Sequence, residues 1–205
     1  MKINKKKFIY LVSPNKISNN NFYHDLKKIF ECKKISFFQL RLKKTKMKEK
    51  ILIGKKIKKI CKKYNVKFLI NDDPILAKKL NADGCHLGQR DMNINEARKI
   101  LKNKIIGVTC HNSIKLAKIA IDNNADYIAF GAFNVSKTKK SRYKAKINIL
   151  LSIKKITKIP VVAIGGINAK NYKKLLLNKA NFLAISGYIW NNKNYKPMEA
   201  VEKIK

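Results

Sequence analysis

Acidic residues are scarce in this 205-residue chain: 12 Asp and Glu stand against 48 Lys and Arg, a formal net charge of +36. Arginine is scarcer still, at Arg41, Arg90, Arg98 and Arg142 only, while lysine is scattered through nearly every segment. Arg is the residue that reads bases and grips phosphates bidentately. The charge therefore reads as a solvated lysine-rich surface before it reads as a nucleic-acid footprint. Cysteine is limited to Cys32, Cys61, Cys85 and Cys110, with no CxxC, and His24, His86 and His111 form no HExxH. This excludes a disulfide framework and argues against a transition-metal site. No apolar run approaches the roughly 18 residues a membrane span needs. The run Phe8–Val12 behind the basic N-terminus is too short for a signal peptide, so a cytoplasmic protein is expected. Pro/Gly/Ser-rich linkers are missing too, and at roughly 150 residues per domain the chain reads as one domain.

What is present is a rhythm. Short apolar, β-branched runs recur at Phe8–Val12, Ser36–Leu40, Val66–Ile70, Gly84–Leu87, Ile105–Thr109, Tyr127–Gly131, Pro160–Ile164 and Phe182–Ile185. Continuous apolar runs suit strands covered on both faces, as in parallel sheets. Between them lie helical patterns at Met47–Tyr64, Pro74–Leu80, Ile94–Leu101, after Asn112 or Ser113, and at Ile147–Ile156, Ala169–Leu177 and Met198–Ile204. Alternating βαβα order requires parallel strands with helical crossovers. An open doubly wound sheet would carry a glycine-rich fingerprint after its first strand. Here that strand runs into Ser13-Pro14-Asn15-Lys16. The fold expected is a single-domain (β/α)8 TIM barrel over residues 1–205, with a flexible active-site loop near 132–146.

In such a barrel the site forms at the C-terminal ends of the strands. Gln39, Arg41 and Lys43, two apart after the second run, are expected to point to one side. Asn71-Asp72-Asp73 follow the third run and Gln89-Arg90-Asp91 the fourth, so three of the few acids gather there. Two carboxylates beside an amide suit a hard cation such as Mg2+ together with phosphate oxygens; each Asp also fits a helix cap. Thr109 and His111 end the fifth run, and Ser136, Thr138 and Lys139 follow the sixth. Gly165-Gly166, expected to open a helix, and Ser186-Gly187 sit where loops after the last two strands take phosphate in this barrel class. His86, inside a strand, reads as a hydrogen-bonded core or rim histidine.

In this order the segments QLRLK (39–43), NDDPILAKKLNADGCHLGQRD (71–91), GVTCH (107–111), NNADYIAFG (123–131), SKTKK (136–140), PVVAIGGI (160–167) and AISG (184–187) resemble thiamine phosphate synthases over nearly the whole chain. The resemblance implies a transferase of thiamine biosynthesis, joining hydroxymethylpyrimidine diphosphate to hydroxyethylthiazole phosphate with release of pyrophosphate. It implies that Gln39, Arg41, Lys43 and Asn71 hold the pyrimidine diphosphate, with Thr109 and Lys139 on the diphosphate side. Asp72 and Asp91 would bind Mg2+. Ser136 and Thr138 would contact the thiazole, and Gly166, Ile185 and Ser186 would receive its phosphate. Arg41, Lys43 and Lys139 would be the catalytic cations, because the family breaks the C–O bond first and needs the leaving diphosphate stabilised. Three departures stand out: Leu42 where the family has an acid, Ala132 and Val135 where its loop has prolines, and Ser136 where it has Thr.

Three other readings carry distinguishing marks. A thiazole tautomerase of the same fold would need a base such as His111 and no metal. A nucleic-acid-binding protein on a barrel scaffold would show steep salt dependence. A phosphate-binding barrel without catalysis would bind ligand and release no pyrophosphate. The partners expected are the two small-molecule substrates, neither specific nucleic acid nor membrane, with homo-oligomerisation left open.

Overall fold

The computed structural model describes residues 7–17, 20–135 and 142–205. Eight parallel strands close into a barrel in sequence order: β1 (Ile9–Val12), β2 (Ile35–Leu40), β3 (Lys67–Asn71), β4 (Gly84–Leu87), β5 (Ile105–His111), β6 (Tyr127–Phe130), β7 (Val161–Ile164) and β8 (Phe182–Ile185). Around them run α1 (Asn21–Glu31), α2 (Met47–Lys63), α3 (Pro74–Lys79), α4 (Ile94–Leu101), α5 (Ile114–Asp122), α6 (Asn148–Lys154), α7 (Tyr172–Leu177), α8 (Gly187–Trp190) and α9 (Pro197–Glu202). A barrel of this class typically takes about 250 residues. This chain manages with fewer because β1, β4, β6, β7 and β8 have 4 residues each and α3, α7 and α9 only 6.

Each strand splits its apolar residues by the two-residue period. Tyr10, Phe37, Leu69, Tyr127, Val162 and Phe182 fill the barrel interior. Their neighbours Leu11, Phe38, Phe68, Ile128 and Leu183 pack outward with the helices. Gly107 leaves the volume that the Tyr127 ring takes: a Cβ there would lie 1.9 Å from Cζ. Three helices begin on caps the sequence supplies, Asp73, Asn93 and Ser113 accepting the N–H groups of Leu76, Glu96 and Leu116, and α9 begins with Pro197 in its first turn.

The N-terminal end of the barrel is closed by one device used three times. The segments Asn81-Ala82-Asp83, Asn124-Ala125-Asp126 and Lys179-Ala180-Asn181 each follow a helix and lead into a strand. Their first residues take the left-handed conformation (φ 47°, 61° and 73°). The Ala N–H then bonds back to Ala77, Ala120 or Leu175, closing the helix with satisfied carbonyls. The third residue grips the preceding strand from both sides. Its N–H donates to the carbonyl of Phe68, Ile106 or Val161. Its side chain accepts the N–H of the same residue at 2.9, 2.8 and 2.8 Å. A cation completes each clamp: Lys67 on Asp83, Arg98 on Asp126 and Lys154 on Asn181.

Three expectations need correction. An 11-residue helix, α1, fills the β1–β2 connection, where the sequence reading names no helical segment. Helix α7 starts at Tyr172 and not at Ala169, because the Asn168 and Asn171 side chains accept the N–H groups of Lys170 and Asn168 and hold residues 168–171 as turns. The glycine pair therefore does not open a helix directly. Instead the short α8 begins directly after Ser186. Among the described residues, no helix is long and apolar enough to cross a membrane.

Candidate active site

Among the described residues, the expected side chains sit at the C-terminal rim in an arrangement the linear order does not show. Gln39 points into the barrel and is buried, its amide donating to the Tyr10 hydroxyl (3.1 Å). Strand β2 ends at Leu40, and beyond it Arg41 and Lys43 reach different partners. Arg41 turns toward β1, its N–H on Ser13 Oγ (2.9 Å) and its guanidinium on Asn15. Lys43 turns toward β3 and pairs with Asp72 at 2.9 Å. Leu42 between them is buried with the outer core.

The acids separate into two roles. Asp73 caps α3, and Asn93 caps α4. Asp72 and Asp91 cap nothing and face one another. Asp72 has φ 64° and donates its N–H to the His86 carbonyl (2.8 Å), which swings its side chain onto the rim. Asp91 accepts the Gly88 N–H at 2.7 Å. Burial and the neighbouring Asp72 carboxyl hold Asp91 above the usual carboxylate range, with the Gly88 N–H opposing. Burial pushes Asp72 up as well, but Lys43 and the hydrogen bond with Asp91 outweigh it and bring Asp72 below that range. The two carboxyls thus lie side by side, with Lys43 paired to Asp72. No group of three or more His, Cys, Asp or Glu forms a metal cage among the described residues. A cavity of about 420 Å³ opens beside the pair, with Lys43, Asn71 and Asp72 among its lining.

Thr109 lies at the end of β5, its hydroxyl 2.8 Å from His86 Nε2, and Gln89 donates to the Thr109 carbonyl (2.6 Å). His86 Nδ1 stands 2.8 Å from the Tyr127 hydroxyl, which is 2.8 Å from that of Tyr10. The histidine is thus the hydrogen-bonded one expected. The two tyrosines that join this histidine are ones sequence reasoning did not single out; their signal is a polar-tipped ring at an inward strand position. His111, with φ 52°, stacks on Tyr143 with ring centres 3.9 Å apart.

The far rim carries the glycine pair. A Cβ on Gly165 would meet Ala132 at 2.4 Å, and one on Gly166 would meet the Val135 carbonyl at 2.3 Å. The backbones interlock there: Phe133 and Asn134 donate to the carbonyls of Ile164 and Gly165. The glycines, at φ 104° and 60°, therefore seat the loop after β6. Its other end is tied by Ala145 N–H to the Ala132 carbonyl (2.8 Å). Ser186 Oγ donates to the Ser13 carbonyl (3.1 Å), closing β8 onto β1. Ile185 is buried in the outer core, so only its backbone reaches the rim. Ser136, Thr138 and Lys139 lie outside the described residues.

Comparison with known proteins decides the lineage. A family model described as thiamine monophosphate synthase matches residues 9–189. A thiamine-phosphate synthase of Pelagibacter ubique is 71% identical over 207 residues, covering 100% of both chains. The chain belongs to the thiamine monophosphate synthase family. It is an enzyme, a transferase of thiamine biosynthesis. A thiamine-phosphate synthase of Erythrobacter litoralis is 37% identical, covering 94% of this chain and 92% of its own. Among solved structures, thiamine phosphate pyrophosphorylase from Pyrococcus furiosus superposes with TM-score 0.85 at 28% identity, over 98% of this chain and 94% of that one. A 3-hexulose-6-phosphate synthase, at TM-score 0.69 and 16% identity over 96% of this chain and 97% of that one, shares the fold alone.

Proposed function

We propose that the chain joins hydroxymethylpyrimidine diphosphate to hydroxyethylthiazole phosphate, releasing pyrophosphate, with Mg2+ held between Asp72 and Asp91. The observation that carries this is the convergence of those two carboxyls beside Lys43, against Asn71. The donor set fits the ion: hard oxygens, too few to enclose it, which suits a metal that keeps water and phosphate oxygens as its other ligands. When bound, Mg2+ supplies charge stabilisation for the departing diphosphate.

The chain's own residues do the rest. Gln39 and Asn71 orient the pyrimidine diphosphate. Arg41, within electrostatic reach of Asp72, and Lys43, paired with it, neutralise the charge that grows on the leaving group as the C–O bond breaks. Lys139 is assigned the same task, and Ser136 and Thr138 the thiazole ring, on family resemblance. Gly166, the Ile185 backbone and Ser186 take the thiazole phosphate. No nucleophile on the enzyme is required, since the thiazole nitrogen captures the pyrimidine cation. We place the protein in the cytoplasm, acting on two small molecules and not on nucleic acid or membrane, with its homo-oligomeric state as the part to be measured.

The test mixes purified protein with Mg2+ and both substrates and follows thiamine phosphate and pyrophosphate together. Equimolar products that vanish on chelation and in Asp91→Asn are expected. No product from folded, saturated protein overturns the reading and directs attention to thiazole tautomerisation with His111 as base.

A further inference from the structure

Five side chains from five strands form one hydrogen-bonded line across the barrel interior. It runs from Gln39 on β2 to Tyr10 on β1, Tyr127 on β6, His86 on β4 and Thr109 on β5, with steps of 3.1, 2.8, 2.8 and 2.8 Å. Gln39, Tyr10, Tyr127 and His86 are all buried. The rings are held in place: Tyr127 stacks on His86 at 5.6 Å and 16°, meets Tyr10 edge-on at 5.9 Å, and lies over Gly107. Both ends of the line reach the rim where the proposed function places the pyrimidine diphosphate.

The line can run in two senses, because each phenol hydroxyl donates or accepts and the imidazole has two tautomers. One end is set: the Gln39 amide nitrogen has no acceptor capacity, so it gives its proton to Tyr10. In the sense inferred here, Tyr10 donates to Tyr127, and Tyr127 donates to His86 Nδ1. That leaves the imidazole proton on Nε2, directed at Thr109 Oγ1. Thr109 accepts from below, and its own hydroxyl proton is left to donate. At the opposite end Gln39 keeps its carbonyl oxygen as an acceptor. A diphosphate has only acceptor oxygens, whereas an aminopyrimidine carries N–H groups. Run the other way, the line would turn the Thr109 proton inward and present lone pairs to the diphosphate.

We propose that Tyr10, Tyr127 and His86 are a one-way hydrogen-bond relay that fixes Thr109 as the donor and Gln39 as the acceptor toward the pyrimidine diphosphate, with Tyr127 as the central positioning residue. This rests on the substrate assignment under the proposed function and adds the groups that set the site's polarity. Burial pushes both phenols well above their ordinary ionisation range, so the two relay protons stay in place at any working pH.

The experiment uses the full chain. In wild type, 15N-edited spectra of labelled histidine, with the His86 signal assigned by its loss in His86→Asn, report the Nε2–H tautomer. Tyr127→Phe keeps the ring and removes the hydroxyl. Losing one relay bond is expected to raise KM for the pyrimidine diphosphate about tenfold. KM for the thiazole phosphate stays within about twofold, and the His86 signal shifts. Tyr10→Phe does the same, and the double variant costs no more than either single one, since one break disables the line. A wild-type His86 protonated on Nδ1, equal changes in both KM values, or additive costs would overturn the relay. If Tyr127→Phe fails to fold, the wild-type tautomer and Tyr10→Phe decide. Wild type that makes no thiamine phosphate sinks the substrate assignment instead, while the tautomer still reports on the direction of the line.

Discussion

The two ends of the barrel spend the same scarce residue differently. At the N-terminal end Asp83 and Asp126 are each matched by a cation and by a strand N–H, at distances of 2.7 to 3.0 Å. At the C-terminal end Asp72 and Asp91 face each other, and Lys43 is the cation paired with Asp72. A carboxylate beside a cation and a backbone donor favours its charged form; one beside another carboxyl does not. The first arrangement stabilises the fold. The second is the pair that the proposed function reads as the seat of Mg2+. One end contributes stability and the other function, as the fold class leads one to expect.

The largest effect that would break this comparison is in Asp91→Asn. Turnover with Mg2+ is expected to fall on the order of a hundredfold or more, as when one transition-state stabiliser is removed. The melting temperature of the metal-free protein should hold or rise. The sign follows from the direction of the shift. Burial and Asp72 raise Asp91 above its unfolded value, so the folded chain holds that proton more tightly than the unfolded one. The stability this contributes is complete below the unfolded value and is lost as pH rises through the folded one. Asparagine is neutral throughout, so the variant's metal-free stability should flatten over that window. Activity assays and thermal melts from pH 4 to roughly 8 check both halves; a melting temperature that drops at neutral pH would make Asp91 a structural residue.

How much of this contrast was legible beforehand depends on range. The eight strands show because apolar runs are local, and Asp72 and Asp91 show because acids are rare enough to be noticed at strand ends. Helix α1 carries Phe22, Leu26, Ile29 and Phe30 at helical spacing, but it begins without a side-chain cap, so no start signal marks it. The partners of Arg41 and Lys43 follow from β2 lying between β1 and β3, which spacing does not show. Tyr10 and Tyr127 are 117 residues apart, and only barrel closure brings their hydroxyls together. The repeated Ala-Asp pairs at 82–83 and 125–126 are plain in the sequence, yet they read as family markers. Nothing local says that each side chain accepts an N–H from a strand about 20 residues earlier.

The clamp at Asp126 supplies the next largest effect. Asp126→Ala orphans the Ile106 N–H and leaves the Arg98 guanidinium without its carboxylate, though Arg98 still donates to the carbonyls of Lys102, Lys104 and Asn124. A partly exposed charge-assisted bond of this kind is worth about 2 kcal/mol. In a chain of this size that corresponds to a melting temperature lower by roughly 4–8 °C. KM and kcat of the folded fraction should not move. A variant that melts normally but loses turnover would invert the assignment of the two ends.

The smallest effect sharpens the same point. The third clamp uses Asn181, whose Oδ1 accepts both the Val161 N–H (2.8 Å) and the Lys154 ammonium (2.7 Å). A neutral amide satisfies the geometry but offers Lys154 no charge, and burial holds that lysine below its ordinary range. If carboxylates at this end serve stability, Asn181→Asp should complete the set. Lys154 is expected to titrate higher, and the protein to gain up to about 1 kcal/mol, the usual ceiling for a partly exposed ion pair. High salt should erase most of that gain. The same change of amide to acid at the rim, Asn71→Asp, adds a third carboxyl beside Asp72 and should destabilise the metal-free protein. Melting both variants at low and high salt therefore asks one substitution the same question at each end, and two shifts of the same sign would show that the ends do not differ in the way their geometry implies.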